Sequence, residues 1–494
     1  MKKVLIIGID ALDSKIISDL EKDLPTFQKL KEDTQDVIFD GVFPPDSPTS
    51  WASIYTGLNP AKHGIVLFTD PLKRVSTMVS KDVDDSTIRG KTFWDIAGKM
   101  GKKVCIMLHL LGYPPWPVNG IMIGRSGVKP DVQAFPGDFS KNINLSDFKW
   151  NLNLFPGRDK KKYIRLAKNQ IYQETNFVTN VIENYEWDLF FVSFGELDPI
   201  QYSFWNYYDK TDPTYLGKNP YERVIPEFYK LYDDVVQKII SYADSDTAVI
   251  VVSDHGIGTR PTKLININEF LRQKNLLKVK NKAKDKPSTM IKLKRELLKI
   301  VDRYDLGNLA AVFLRKFPKS KEWFIGFEQI DWESGAAYLT DQSGVKNYPY
   351  GGIIIRKENV NGGDYESVRD SIIKDFLEIR DPVARAPMFK WICRREDLYS
   401  GPYLDRYPDI LFELREDYGA GNSIFVDLFG ESLSHNIAPG CHKQHHAAFF
   451  ISGIGNKKII KKRMNLMDVA PTILDLLDID WRRFDFDGRS IFEK

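Results

Sequence analysis

Short apolar runs recur along this chain, each closing at a polar or glycine-containing turn and most leading into residues of helical period. Val4 to Ile9, Val104 to Leu108, Leu189 to Ser193 and Ala248 to Ser253 are nearly continuous hydrophobic stretches, as expected of parallel strands buried on both faces. Leu12 to Leu20 and Glu227 to Tyr242 carry the spacing of helices. The alternation predicts βαβ units and an α/β fold, a doubly wound, mostly parallel sheet with helices on both faces. Such sheets bind ligands at the carboxyl ends of their strands, so the residues just past each run are the ones to weigh for chemistry.

From about Ile265 to Pro402 the pattern changes. A lysine-rich connector, Lys282 to Pro287, leads into a helical stretch to about Leu314, and Asp331 to Leu339, Gly351 to Arg356 and Tyr365 to Ile379 read as strand, strand and helix. This predicts an inserted α+β cap domain at 265–402 between core segments 1–264 and 403–494, with a peripheral continuation of the core as the alternative. The lysines read as a solvated face. Met290 to Leu298 shows only modest amphipathicity for contact with a membrane surface.

Composition narrows the class. A chain of 494 residues with 43% hydrophobic and 28% charged residues can bury a large core, and no run approaches a membrane span. The net charge of +3 gives no reason to expect a nucleic acid polymer as partner. Three scattered cysteines, and an apolar run after Met1 that stops at Asp10 without a cleavage site, favour a reducing compartment and a cytoplasmic location. Oligomeric state is left open.

Asp10 ends the first predicted strand, Asp254-His255 ends another, and Asp198 lies a few residues past a third. Carboxylates gathered on one sheet edge repel one another unless cations neutralise them, so a metal site is the economical reading. For any single Asp, helix N-capping is the plainer explanation. His442, His445 and His446 fall within five residues although the chain has only seven histidines, which marks a further ligand segment or a chance surface cluster. The Pro-stiffened stretch Phe43 to Gly57 sets Ser47 and Thr49 ahead of a helical pattern. A hydroxyl at a helix N-terminus can face an anion and be activated by a metal, or simply cap the helix.

Gly8-Ile9-Asp10, Leu24 to Phe27, Pro44 to Gly64 with Thr56-Gly57-Leu58-Asn59-Pro60-Ala61-Lys62-His63-Gly64, Asp198 to Tyr202 with Phe204-Trp205, Ser253 to Gly256, Gly440 to His442, Asp468 to Leu474 and Asp485 to Arg489 follow one another in a telling order. Taken together they resemble the type I phosphodiesterase and nucleotide pyrophosphatase branch of the alkaline phosphatase superfamily. Within the insert, Asp331-Trp332, Gly351 to Ile353, Arg395 to Pro402 and Pro408-Asp409 resemble a subgroup common in archaea and bacteria. The resemblance implies an alkaline-phosphatase-like fold and metal-dependent hydrolysis of phosphate esters, phosphodiesters or nucleotide pyrophosphate bonds foremost, through a covalent phospho-Ser47 intermediate. It implies two divalent ions, zinc in the usual case with manganese as the alternative. One ion takes Asp10, the nucleophile, Asp254 and His255; the other takes Asp198, a histidine four residues later, and His442. Family spacing puts the nucleophile at Ser47, where many relatives carry Thr, with Thr49 as the fallback.

The chain departs from the family at Tyr202, which stands where the second metal's histidine is expected. Phenol is a poor zinc ligand unless ionised, so the second site is expected to be weak, with His445 or His446 as conceivable replacements. Phosphomonoesterase, phosphonate hydrolase or phosphotransferase activity, and a non-catalytic phosphate-ligand binder, are the alternatives. Sulfatase chemistry is disfavoured because Ser47-Pro48-Thr49-Ser50-Trp51 has no arginine at its fifth position. Expected partners are small phosphate esters or lipid- or sugar-linked phosphates.

Overall fold

A computed structural model describes residues 3–34, 37–66, 83–141, 143–152, 156–157, 159–280, 296–297, 300, 330–340, 347–360 and 364–493. The lysine-rich connector, the stretch running to Leu314 and most of Met290 to Leu298 lie outside these residues. The described residues fall into two compact units, one within 1–65, 81–258 and 442–494 and the other within 66–80 and 259–441.

The first unit is built on a seven-stranded sheet. Its strands are β1 (Lys3–Ile9), β2 (Val104–Leu108), β3 (Gly120–Arg125), β4 (Val132–Phe135), β5 (Leu189–Phe194), β6 (Thr247–Val252) and β7 (Phe449–Ser452), in the order β7-β6-β1-β5-β2-β3-β4. The five inner strands run parallel, and only the edges β4 and β7 are antiparallel. The four apolar runs of the sequence are thus β1, β2, β5 and β6, side by side, within a residue of their expected ends.

Neighbouring side chains along β1 explain the layering. Leu5, Ile7 and Ile9 point to one face, into a core with Phe228, Tyr232 and Val236 of the helix Val224–Ile240. Val4 and Ile6 point to the other, against Trp51 and Ile54 of the helix Ser47–Thr56 and Ile473 and Leu474 of the helix Val469–Leu476. A strand that is apolar at every position must be covered on both sides, and helices on both faces follow. The sheet is therefore doubly wound. Because β1 lies between β6 and β5, the chain segments leaving all three strands emerge at one edge.

The second unit has its own core around a four-stranded antiparallel sheet, in the order Ala337–Leu339, Tyr350–Ile355, Ile410–Leu414, Phe389–Arg394. The helix Tyr365–Leu377 supplies Ile372 and Phe376 to that core. The strand Ile410–Leu414 lies beyond residue 402, where the sequence reading closes the insert, because Gly351 to Ile353 pair with it. The single strand expected over Asp331 to Leu339 is two: Ile330–Asp331 pairs with Lys278–Val279, and Ala337–Leu339 with Tyr350–Ile355. Asp331 causes the break, since its Oδ1 accepts from the Glu333 and Ser334 amides and folds the chain into a turn. No helix among the described residues is long and apolar enough to cross a membrane.

Candidate active site

Asp10 is the first residue after β1, and Asp254 and His255 are the second and third residues after β6, which ends at Val252. Asp198 sits in the first turn of the helix Leu197–Tyr208, which β5 feeds. The sheet order sets these segments next to one another. His255 Nε2 is 3.5 Å from Asp10 Oδ1 and 3.4 Å from Asp254 Oδ2, and His442 Nε2 is 3.5 Å from Asp198 Oδ1. The His255 and His442 rings lie 3.8 Å apart between centroids. Asp10, Asp254 and His255 form one group, and Asp198, His255 and His442 a second, whose donor atoms all lie within 4.8 Å of one another.

The capping explanation for Asp10 does not describe its position. Asp13 caps the helix Ser14–Asp19 by accepting from the Lys15 and Ile16 amides. Asp10 Oδ1 and Asp254 Oδ2 are buried and, among the described residues, have no hydrogen-bond donor. Both oxygens face His255 Nε2. His255 Nδ1 is bonded to the Gly256 carbonyl oxygen, an acceptor, so Nδ1 carries a proton and donates. Orphaned carboxylate oxygens around an imidazole whose second nitrogen is so anchored are a donor set suited to a divalent cation.

Protein charges alone leave this cluster unbalanced. Burial, and the Asp10 charge beside it, push the Asp254 carboxyl well above the usual range. Burial would lower the His255 pKa, but Asp254, Asp10 and Asp198 override it and raise it to about 9. Asp10 is opposed by burial too, yet the His109 hydrogen bond and the His255 charge hold it below the ordinary carboxylate value.

Ser47 opens the helix Ser47–Thr56, with Asp46 at the N-cap position. Ser47 is 5% exposed, and the whole helix is buried between the sheet and its covering layer. The Ser47 hydroxyl reaches His255 Nε2 at 3.3 Å across 208 residues of sequence, so it is turned into the cluster and not onto its own helix end. Gly8 makes this seat possible. A Cβ there would lie 2.7 Å from Trp51 Cη2, so only glycine lets Trp51 settle over β1 and donate from Nε1 to Asp10 Oδ2 at 3.2 Å. Thr49 is fully buried in the same helix.

Of the three clustered histidines, only His442 joins the candidate ligands. His445 is about half exposed and lies 3.6 Å from Asp40, and His446 lines a separate groove with Ser14, Ser18 and Lys31. Neither belongs to either ligand group among the described residues, which removes the proposed compensation for Tyr202. The Tyr202 ring is buried, 5.1 Å from the His442 ring between centroids. The sequence reading missed His109, which follows β2 and bonds Asp10 Oδ2 through Nε2 at 2.9 Å. The signal was present: a scarce histidine directly after a buried parallel strand.

No curated protein matches the chain. A solved structure similar to it is the phosphonoacetate hydrolase of Sinorhizobium meliloti 1021, in complex with phosphonoformate, at 13% identity and a TM-score of 0.47, with 95% of this chain and 94% of that chain covered. The family model described as type I phosphodiesterase / nucleotide pyrophosphatase matches residues 4–424, from β1 through Ser47, Asp198, Asp254 and His255, and stops short of His442. That match spans most of the chain, which therefore belongs to the type I phosphodiesterase/nucleotide pyrophosphatase family.

Proposed function

We propose that this protein is a metal-dependent phosphoric diester hydrolase that works through Ser47. The observation that carries the reading is the Ser47 hydroxyl 3.3 Å from His255 Nε2, at the amino end of a ten-residue helix and beside two orphaned carboxylate oxygens. Asp10, Ser47, Asp254 and His255 would hold one ion, and Asp198 and His442 the other. Divalent ions held there, zinc or manganese, lower the pKa of the serine alcohol and neutralise phosphoryl charge.

Ser47 Oγ attacks phosphorus in line with the ester leaving group. The new P–O bond forms as the leaving P–O bond breaks, the Ser47 proton passes to solvent, and the departing alkoxide takes a proton from water. Water then attacks the phospho-Ser47 phosphorus, the serine oxygen leaves and is reprotonated, and a phosphomonoester is released. The helix amino end directs its positive dipole at the phosphoryl oxygens throughout. His255, anchored through Nδ1 to Gly256, cannot swing away from Ser47.

Purified protein is expected to contain a divalent metal and to cleave bis-para-nitrophenyl phosphate faster than para-nitrophenyl phosphate. Faster monoester cleavage would turn the assignment to a phosphomonoesterase. Tyr202 supports a second reading, a phosphate-ligand binder without turnover, and protein that holds metal yet cleaves neither ester would select it.

Tyr202 also sets an expectation for metal stoichiometry. The site at Asp198 and His442 lacks the family's second imidazole, and losing one direct ligand should weaken it by more than the roughly 10 to 100-fold typical of outer contacts. Tyr202→His is expected to raise occupancy of that site in a calorimetric zinc titration and to speed diester cleavage. Two equally tight sites in the wild type, unchanged by Tyr202→His, would make Tyr202 itself a ligand.

A further inference from the structure

We infer that His109 is a positioning residue for Asp10, holding that carboxylate so that a chosen oxygen, Oδ1, is presented to the first metal; this rests on the metal site proposed above. The His109 backbone N–H donates to Ser193 Oγ at 3.1 Å, so that hydroxyl is already used as an acceptor. Ser193 Oγ also lies 2.7 Å from His109 Nδ1. A carboxylate oxygen can only accept, so the ring carries its proton on Nε2, which donates to Asp10 Oδ2 at 2.9 Å, and Nδ1 is left to accept from the Ser193 hydroxyl.

Trp51 Nε1 donates to the same oxygen at 3.2 Å. Two N–H groups thus converge on Oδ2 and none on Oδ1, the oxygen turned toward His255 and left without a donor among the described residues. The carboxylate cannot rotate without breaking both bonds. His109 is itself boxed in. The Trp51 ring packs edge-on against it at 5.4 Å between centroids, and a Cβ on Gly195 would come within 2.9 Å of its Cδ2. The relay crosses three adjacent strands: His109 follows β2, Ser193 belongs to β5, and Asp10 follows β1.

Metal-stripped protein titrated with zinc chloride in a calorimeter tests this. His109→Phe keeps the ring and its edge contact but removes the donor, and is expected to weaken one of two zinc sites about 10 to 100-fold while sparing the other. His109→Gln, which offers an N–H near the Nε2 position, should recover most of that loss. Ser193→Ala frees the ring to place its proton on Nδ1 and should weaken the same site, which keeps the test decisive if His109→Phe does not fold. Unchanged zinc binding in both His109→Phe and Ser193→Ala, equal weakening of both sites, or a glutamine variant as weak as phenylalanine overturns the positioning role. Wild-type protein that takes up no zinc overturns the functional reading, and this inference with it.

Discussion

Ser47→Ala is expected to lower turnover of a diester substrate by at least about 10³-fold, because removing a covalent nucleophile deletes the reaction path and not a share of binding. The fold should survive. Ser47 is buried, but its replacement removes one oxygen from the first turn of a helix whose other residues keep their packing, and the first helical position needs no side-chain acceptor. The expected stability change is about 1 kcal/mol or less. Zinc binding should fall only modestly, since two carboxylates and an imidazole stay in the same group. Thr49→Ala is the comparison. It lies two residues on in the same buried helix, while the contact with His255 belongs to Ser47. Burst-phase product release and phosphate labelling of the protein, present in the wild type and absent in Ser47→Ala, are the measurements. A Ser47→Ala enzyme at near-normal rate beside a dead Thr49→Ala moves the nucleophile by two residues.

Asp254→Asn is expected to have opposite effects on stability with and without metal. Burial and the Asp10 charge raise the Asp254 pKa in the folded protein well above its unfolded value. An acid raised in this way binds its proton more tightly folded than unfolded, so it costs stability at every pH above its unfolded pKa, and the cost grows until the folded pKa is passed. Asparagine keeps an oxygen for the Ala11 amide, which donates to Asp254 Oδ1 at 3.1 Å, and removes the charge facing Asp10. In chelator at pH 7 the variant should therefore be more stable than wild type, by about 1–3 kcal/mol, and the gap should narrow on acidification. In saturating zinc the order should reverse. Wild type gains roughly 4 kcal/mol at a thousandfold excess over its Kd, and a variant short of one carboxylate gains little. Urea midpoints in the two buffers decide the matter, and a variant less stable in both would mean that Asp254 serves the fold and not a cation.

Much of this molecule is legible without its fold. Nearly continuous apolar runs say that β1, β5 and β6 are covered on both faces, and that condition leaves few architectures open. The rule that ligands gather at strand ends then singles out Asp10, Asp254 and His255 directly, since each stands next to a strand whose limits the hydrophobic run defines. Period and burial are local properties, however, and say nothing of which strand lies beside which. The bond from His109 to Asp10 spans 99 residues of sequence and exists because β2 and β1 both flank β5. Ser47 and Thr49 look alike as hydroxyls before a helix, and only the helix's rotation against the sheet aims one of them at His255. The three histidines near residue 445 are equivalent as composition. The path of the backbone separates them, turning His442 inward toward Asp198 and His445 outward toward Asp40. Sequence pattern thus determined the layers and the edge on which the chemistry sits, while strand order and side-chain direction, which depend on packing between distant segments, decided which side chains meet there.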